Sequence, residues 1–149
     1  MSTRLMYWQV APDEYRALIG LQLRLKAALE PRLVDLILLR VSQINGCAFC
    51  VDAHASEARK AGETDRRIAA LAVWRDTPFF SDVERAALDW AEQLTTLRDR
   101  SSLGGHYDAL RLHFSDRQIA ALTFSICVMN AVNRVAIGFG RRPDPDPRA

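Results

Sequence analysis

The chain has 149 residues, 49% of them apolar and 26% charged, with a formal net charge of +2. That composition suits one globular domain with a sizeable core and excludes a disordered chain. Acidic and basic residues are interspersed, so no concentrated basic surface of the kind nucleic acid requires is expected.

Taken in order, the N-terminal stretch MSTRLMYWQVAPDEY lacks the apolar centre of a secretory signal. Pro12 and Asp13 then open a first helix predicted to run to about Leu29, and Pro31 opens a second that runs to about Asn45. Gly46 breaks that helix just before a third, Cys47 to about Ala61, which stops at Gly62. Thr64 is the expected N-cap of a fourth helix carrying Ile68, Leu71 and Ala72.

Ser81 with Glu84, and Ser115 with Gln118, have capping-box spacing and mark helices near 82–97 and 116–137. A shorter helix over 103–113 is weakened at its start by Gly104 and Gly105. No alternating Val/Ile/Thr run competes as a strand, so the chain reads as all-α.

The span Ile119 to Ile137 is the nearest approach to a membrane helix, but it carries Asn130, Asn133 and Arg134. These are expensive in lipid and acceptable in a protein interior with partners, which predicts a buried helix and no membrane association. The three polar residues share one face and predict a structural network, a subunit contact or a polar lining near the thiols. Cys127, on the same helix, is expected in the core. His106 and His113 have no spacing that links them to the other cysteines, and Trp74, Phe79, Phe80 and Trp90 read as packing aromatics. The ending RRPDPDPRA, residues 141–149, reads as a flexible tail to a single domain over 1–140.

The chemistry concentrates in RVSQINGCAFCVDAH, residues 40–54, where Cys47, Cys50 and His54 form C-x-x-C-x-x-x-H. On a helix these three side chains share one face, placing a base beside a dithiol. Three cysteines in this arrangement make no secreted disulfide framework, and a cytoplasmic address follows, with catalytic or metal-binding roles open. Zinc would find three ligands here, but no second C-x-x-C or H-x-x-x-H completes a set. The helical pattern argues against a thioredoxin-like fold, and no cofactor is implied.

Redox work requires a thiolate, and a free cysteine with a pKa of about 8.5 is mostly protonated near neutrality. The N-terminus of the third helix, the neighbouring thiol and His54 can each lower it. A thiolate attacking an O–O bond yields a sulfenic acid, which a nearby second thiol condenses to a disulfide. Cys50 has the shorter link to His54, which makes it the attacking residue and Cys47 the proton donor and resolving thiol. A dithiol that senses oxidation without turnover remains the alternative.

The order Asp35, Ser42, Gln43, Asn45, Gly46, Cys47, Cys50, His54, followed by ARKAGE at 58–63, resembles the alkylhydroperoxidase D-like, or carboxymuconolactone decarboxylase-like, family. The resemblance extends through AVWRDTPFFSDVERAALDWAEQLT at 72–95 and NAVNR at 130–134. It implies an all-helical bundle of about six to seven helices, assembly into trimers or hexamers, and a redox-active Cys47–Cys50 pair with Cys50 peroxidatic. It also implies a hydroperoxide substrate, a dithiol reductant such as a lipoyl-bearing protein, and a proton relay joining His54 to an acidic residue. That position is Asp35 here, where the family has Glu; one methylene shorter, it falls short of His54 or reaches it through a water. Decarboxylating members lack the cysteine pair, so the pair favours redox chemistry. A carboxymuconolactone decarboxylase-like enzyme or a non-enzymatic redox-sensing or ligand-binding oligomer are the other functions this resemblance leaves open.

Overall fold

The computed structural model of the chain describes residues 3–145, and among them there are eight α-helices, one 3-10 helix and no strand. The helices are α1 (Tyr7–Val10), α2 (Pro12–Lys26), α3 (Pro31–Asn45), α4 (Ala48–Lys60), α5 (Asp65–Ala70), α6 (Asp82–Thr96), α7 (Leu103–Arg111) and α8 (Asp116–Gly138). The 3-10 helix, Leu71–Asp76, follows α5 directly.

Local signals set most of these boundaries. Proline begins α2 and α3, where the missing N–H costs nothing, and the Glu30 carboxylate accepts from the Leu33 N–H at 2.7 Å to cap α3. α2 ends at Lys26, three residues short of the expectation; Ala28 and Leu29 form tighter turn bonds to Leu25 and Lys26 ahead of Pro31, which disfavours helix in the residue before it. Both capping boxes form: the Glu84 N–H donates to Ser81 Oγ at 3.3 Å, and the Gln118 N–H to Ser115 Oγ at 3.4 Å. Leu71 and Ala72 fall in the 3-10 segment instead of a longer fourth helix, because Val73 departs from helical geometry at φ −123°.

α3 is the centre of the bundle. Nine of its fifteen residues are buried, in a nearly unbroken run from Leu33 to Leu39 followed by Val41 and Ser42. A helix apolar on all sides must be covered on all sides, and α4, α6 and α8 pack around it, while α2 lies across α8.

α8 is long and apolar enough to cross a membrane, yet it is a core helix here, burying Ile119, Leu122, Ile126 and Met129. It is not buried on every side: Phe124, Cys127, Arg134 and Ile137 form an exposed stripe at helical spacing. Cys127 is therefore exposed, against the expectation of a core residue, because it falls on this exposed stripe of α8. Trp74, Phe80 and Trp90 are buried as expected. The His106 Nδ1–H donates to the Asp89 carboxylate, joining α7 to α6.

Residues 4–7 meet residues 136–141. The Arg4 N–H donates to the Phe139 carbonyl at 2.8 Å, and Arg4 Nη1 donates to the Gly138 carbonyl at 3.0 Å. Arg141, the first residue of the expected tail, is docked: its N–H donates to the Ala136 carbonyl at 2.8 Å and Nη1 to the Tyr7 hydroxyl at 3.1 Å. Residues 142–145 have no regular structure, and the end of the expected tail, 146–149, lies outside the described residues.

Candidate active site

The site is built at the joint between α3 and α4. Gly46 takes φ +70°, which an L side chain rarely adopts, and ends α3 in a tight reversal in which the Cys47 N–H donates to the Ser42 carbonyl at 3.1 Å. The reversal makes Cys47 the N-cap of α4, with its Sγ accepting from the Cys50 N–H at 3.4 Å. Cys47 and Cys50 are joined as a disulfide with Cα atoms 5.3 Å apart, and both are almost fully buried. Their positions differ: Cys47 sits at the positive end of the α4 dipole, whereas Cys50 borders a cavity of about 340 Å³.

α2 and α8 supply much of the cavity wall. Tyr15, Ile19, Gln22 and Lys26 follow one another at i, i+4, i+7 and i+11, so a single face of α2 lines it. Met129 and Val132 of α8, Leu38 of α3 and Phe49 of α4 complete a mostly apolar wall, and Tyr7 and Arg141 close one side. Arg141 lies 3.7 Å above the Phe49 ring and 4.4 Å above that of Trp8, a cation–π arrangement that ties Trp8 and Arg141 to the helix that carries Cys50.

His54 lines the same cavity one turn beyond Cys50. Burial first, and the positive charge of Lys26 second, lower its pKa from 6.5 to about 4, with Glu57 partly opposing. The imidazole is therefore neutral near pH 7 and can accept a proton there, but it is a weak base. Lys26 and Arg141 are the cations on the cavity wall.

Asp35 is buried, and its carboxylate accepts from Lys26 Nζ at 2.5 Å. Among the described residues no hydrogen bond joins Asp35 to His54. The shorter side chain meets the α2 lysine, in keeping with the expectation that Asp35 falls short of a direct contact with His54. All four expected residues thus lie in one neighbourhood, but Cys47 does not line the cavity and Asp35 is tied to Lys26. Among the described residues no group of three or more His, Cys, Asp or Glu side chains converges as a metal site.

Asn130, Asn133 and Arg134 belong to the scaffold of this joint. Asn45 Nδ2 donates to Asn130 Oδ1 at 3.0 Å and to Asn133 Oδ1 at 2.9 Å, and Asn133 Nδ2 donates to Ser42 Oγ at 3.1 Å. This buried network clamps the end of α3 to α8 and fixes where Gly46 turns. Glu63 of the ARKAGE segment is likewise structural, buried between Arg32 and Arg67.

Sequence reasoning missed Lys26, Gln22, Tyr7 and Arg141. A signal existed for the first two: they are polar residues on the otherwise apolar Tyr15–Ile19 stripe of α2.

Fold and site together define an all-helical, alkylhydroperoxidase D-like domain with a dithiol/disulfide pair at the start of a helix. Residues 12–93 match the model of the carboxymuconolactone decarboxylase family, and the chain belongs to that family. It is 37% identical over 143 residues to the uncharacterized protein YdfG of Bacillus subtilis, covering 95% of this chain and 97% of that one. Its fold matches the Agrobacterium tumefaciens protein ATU0492, a protein of unknown function described as a candidate antioxidant defence protein AhpD, with a TM-score of 0.92 and 36% identity over 97% of this chain and 100% of that one. The debrominase Bmp8 shares the fold at a TM-score of 0.81 and 21% identity, over 94% and 76% of the two chains.

Proposed function

We propose that this chain is a thiol-dependent peroxidase that reduces organic hydroperoxides by cycling Cys47 and Cys50 between dithiol and disulfide. The observation that carries this reading is the asymmetry of the pair: Cys50 borders an apolar cavity with His54 and Lys26, and Cys47 lies within bonding distance at the N-cap of α4.

In the proposed cycle His54 accepts the Cys50 proton, and the thiolate, favoured by Lys26, attacks the terminal oxygen of R–O–OH. The O–O bond breaks, Cys50 becomes a sulfenic acid, and the alkoxide takes the Cys47 proton to leave as the alcohol. Cys47, now a thiolate at a helix N-terminus, displaces hydroxide from Cys50; the proton held by His54 converts it to water and the disulfide forms. An external dithiol, such as a lipoyl-bearing protein, returns two electrons and two protons by exchange. No cofactor enters. The proposal places the protein in the cytoplasm as a homo-oligomer, trimer or hexamer, for which the exposed Leu23, Phe124 and Ile137 supply apolar contact surface.

The test is consumption of cumene hydroperoxide with dihydrolipoamide as reductant. Wild type turns over, Cys50→Ser does not, and Cys47→Ser is trapped by dimedone as a sulfenic acid after one event. Equal rates for wild type and Cys50→Ser eliminate the assignment.

One observation favours a second reading, a redox sensor without turnover. Asp35 is held by Lys26 and His54 is a weak base, so no carboxylate–imidazole pair stands ready to draw the proton from Cys50. Quantitative conversion to the Cys47–Cys50 disulfide by peroxide, with no recycling by any dithiol, would select it.

A further inference from the structure

The two cations on the cavity wall differ in their partners. Lys26 is neutralised by Asp35 at 2.5 Å, and Glu57, the other carboxylate on the wall, is bound to Lys60 at 2.7 Å. Among the described residues no carboxylate pairs with Arg141; its Nη1 donates to the hydroxyls of Tyr7 at 3.1 Å and Tyr15 at 3.4 Å, while Nε and Nη2 donate to nothing. Both hydroxyls accept there, so each retains an O–H, and neither donates it to a described residue. Stacking on Phe49 and Trp8 occupies the face of the planar guanidinium and leaves its in-plane N–H groups for other partners. Tyr15 and Arg141 are partly exposed, so a ligand can reach the cluster. Arg4 and Arg142 border Arg141 in an adjoining hollow that no described acidic residue lines, and they add to the positive potential at this end.

We propose that the cavity takes an elongated apolar ligand ending in a carboxylate, and that Arg141 with the Tyr7 and Tyr15 hydroxyls holds that carboxylate. With the cavity read as the peroxidase site, on which this rests, the preferred substrates are hydroperoxides that also bear an acid group. α2 sets where the head lies. Tyr15 and Lys26 are the first and last residues of its cavity stripe, about 16 Å apart along the helix axis, and Arg141 stands at the Tyr15 end. Between them the wall is apolar, with Ile19, Leu23, Leu38, Met129 and Val132. An acidic head at Arg141 meets a cation without a counter-charge and hydroxyl donors beside it, which makes its hydrogen bonds charge-assisted. At Lys26 the same head would face the Asp35 carboxylate as well. Few polar groups on an apolar wall fix the orientation of a ligand, so the acid end selects which way the chain lies.

Binding can be separated from thiol chemistry by using the oxidised protein, in which Cys47 and Cys50 are already bonded. Isothermal titration compares octanoate with octanamide, which keeps the chain and planar head but is neutral, and with acetate, which keeps the head alone. Wild type binds octanoate about tenfold more tightly than octanamide, and acetate more weakly than octanoate. Arg141→Gln brings the octanoate-to-octanamide ratio near one. Tyr15→Phe, which removes one donor and keeps the ring, lowers the ratio to an intermediate value and provides a reading if Arg141→Gln does not fold. A ratio lost in Lys26→Met/Asp35→Leu but kept in Arg141→Gln places the head at Lys26 and overturns the assignment. So does equal binding of octanoate and octanamide to wild type, acetate binding as tightly as octanoate, no binding of octanoate at millimolar concentration, or an unchanged ratio in both Arg141→Gln and Tyr15→Phe. In turnover, para-carboxy cumene hydroperoxide should exceed cumene hydroperoxide in kcat/KM, through a lower KM, in wild type and not in Arg141→Gln; equal values in wild type overturn the substrate class. Absence of turnover with both would instead sink the peroxidase reading and leave the binding ratios untouched.

Discussion

His54 is held neutral by its surroundings, and that makes it a pH-dependent element of stability as well as of chemistry. Its folded pKa of about 4 lies below the ordinary 6.5, so as pH falls the unfolded chain takes up the proton first. The stability associated with a neutral His54 is complete above pH 6.5 and is lost as pH falls towards 4, amounting to about 3 kcal/mol. Urea denaturation at pH 7.5 and pH 4.5 should therefore show wild type losing more stability than His54→Gln; equal losses would refute the burial effect. The neighbouring Lys26–Asp35 pair is a sharper case, because the Asp35 side chain is 3% exposed. Lys26→Met leaves that carboxylate buried without its cation and should cost about 3–5 kcal/mol, most of it recovered in the Lys26→Met/Asp35→Leu double variant. Lys26→Met also removes one cation from the cavity that Cys50 borders, so iodoacetamide should trap the reduced thiol more slowly at a fixed pH. The dithiol and His54 were legible because helical spacing alone brings Cys50 and His54 to one face. The partner of Asp35 was not, because Lys26 approaches it from another helix, across a turn whose geometry no local spacing encodes.

At the scale of elements, the boundaries that were legible are those written in a few consecutive residues. Pro12, Pro31, Gly46, Gly62 and the two S-x-x-E/Q boxes act on backbone groups within one turn, so the sequence pattern and the physical cause coincide. α1 carries no such signal: it is four residues long and no side chain caps it. It is held instead by Tyr7, which stacks on Phe139 at 5.4 Å between ring centres, a contact from the far end of the chain. The 3-10 segment was lost for a similar reason, since Trp74 is fixed by Glu92 of α6 through a 2.9 Å hydrogen bond from its indole N–H. The local account makes a quantitative prediction: Ser81→Ala and Ser115→Ala should each lower stability by about 1 kcal/mol in urea melts. Gly46→Ala should cost about 1–2 kcal/mol through backbone strain alone, because nothing lies within 4 Å of the added methyl. Gly46→Asn, better suited to positive φ, should cost less. If alanine and asparagine were equally tolerated, the reversal that sets Cys47 at the N-cap would not depend on glycine.

For the whole molecule, the meeting of Tyr7 and Arg141 at the cavity is the feature least accessible to sequence. Composition and hydropathy identified a core and a long apolar helix, and α8 takes its place in that core. The pairing of residues near 4–8 with residues near 137–141 spans almost the entire chain and has no periodicity to announce it. Arg141 is the centre of that pairing, donating to Tyr7 at 3.1 Å and Tyr15 at 3.4 Å while lying over Phe49. Two hydrogen bonds and a partly desolvated cation–π contact contribute about 2 kcal/mol together. Arg141→Ala should therefore lower the melting temperature by about 5 °C. Cutting the chain after Gly140 should reproduce that loss, whereas cutting after Pro143 should leave the melting temperature nearly unchanged. The two truncations separate a docked residue from the segment beyond it. If both were neutral, Arg141 would be a passive neighbour of the aromatic rings, and that side of the cavity would rest on Tyr7.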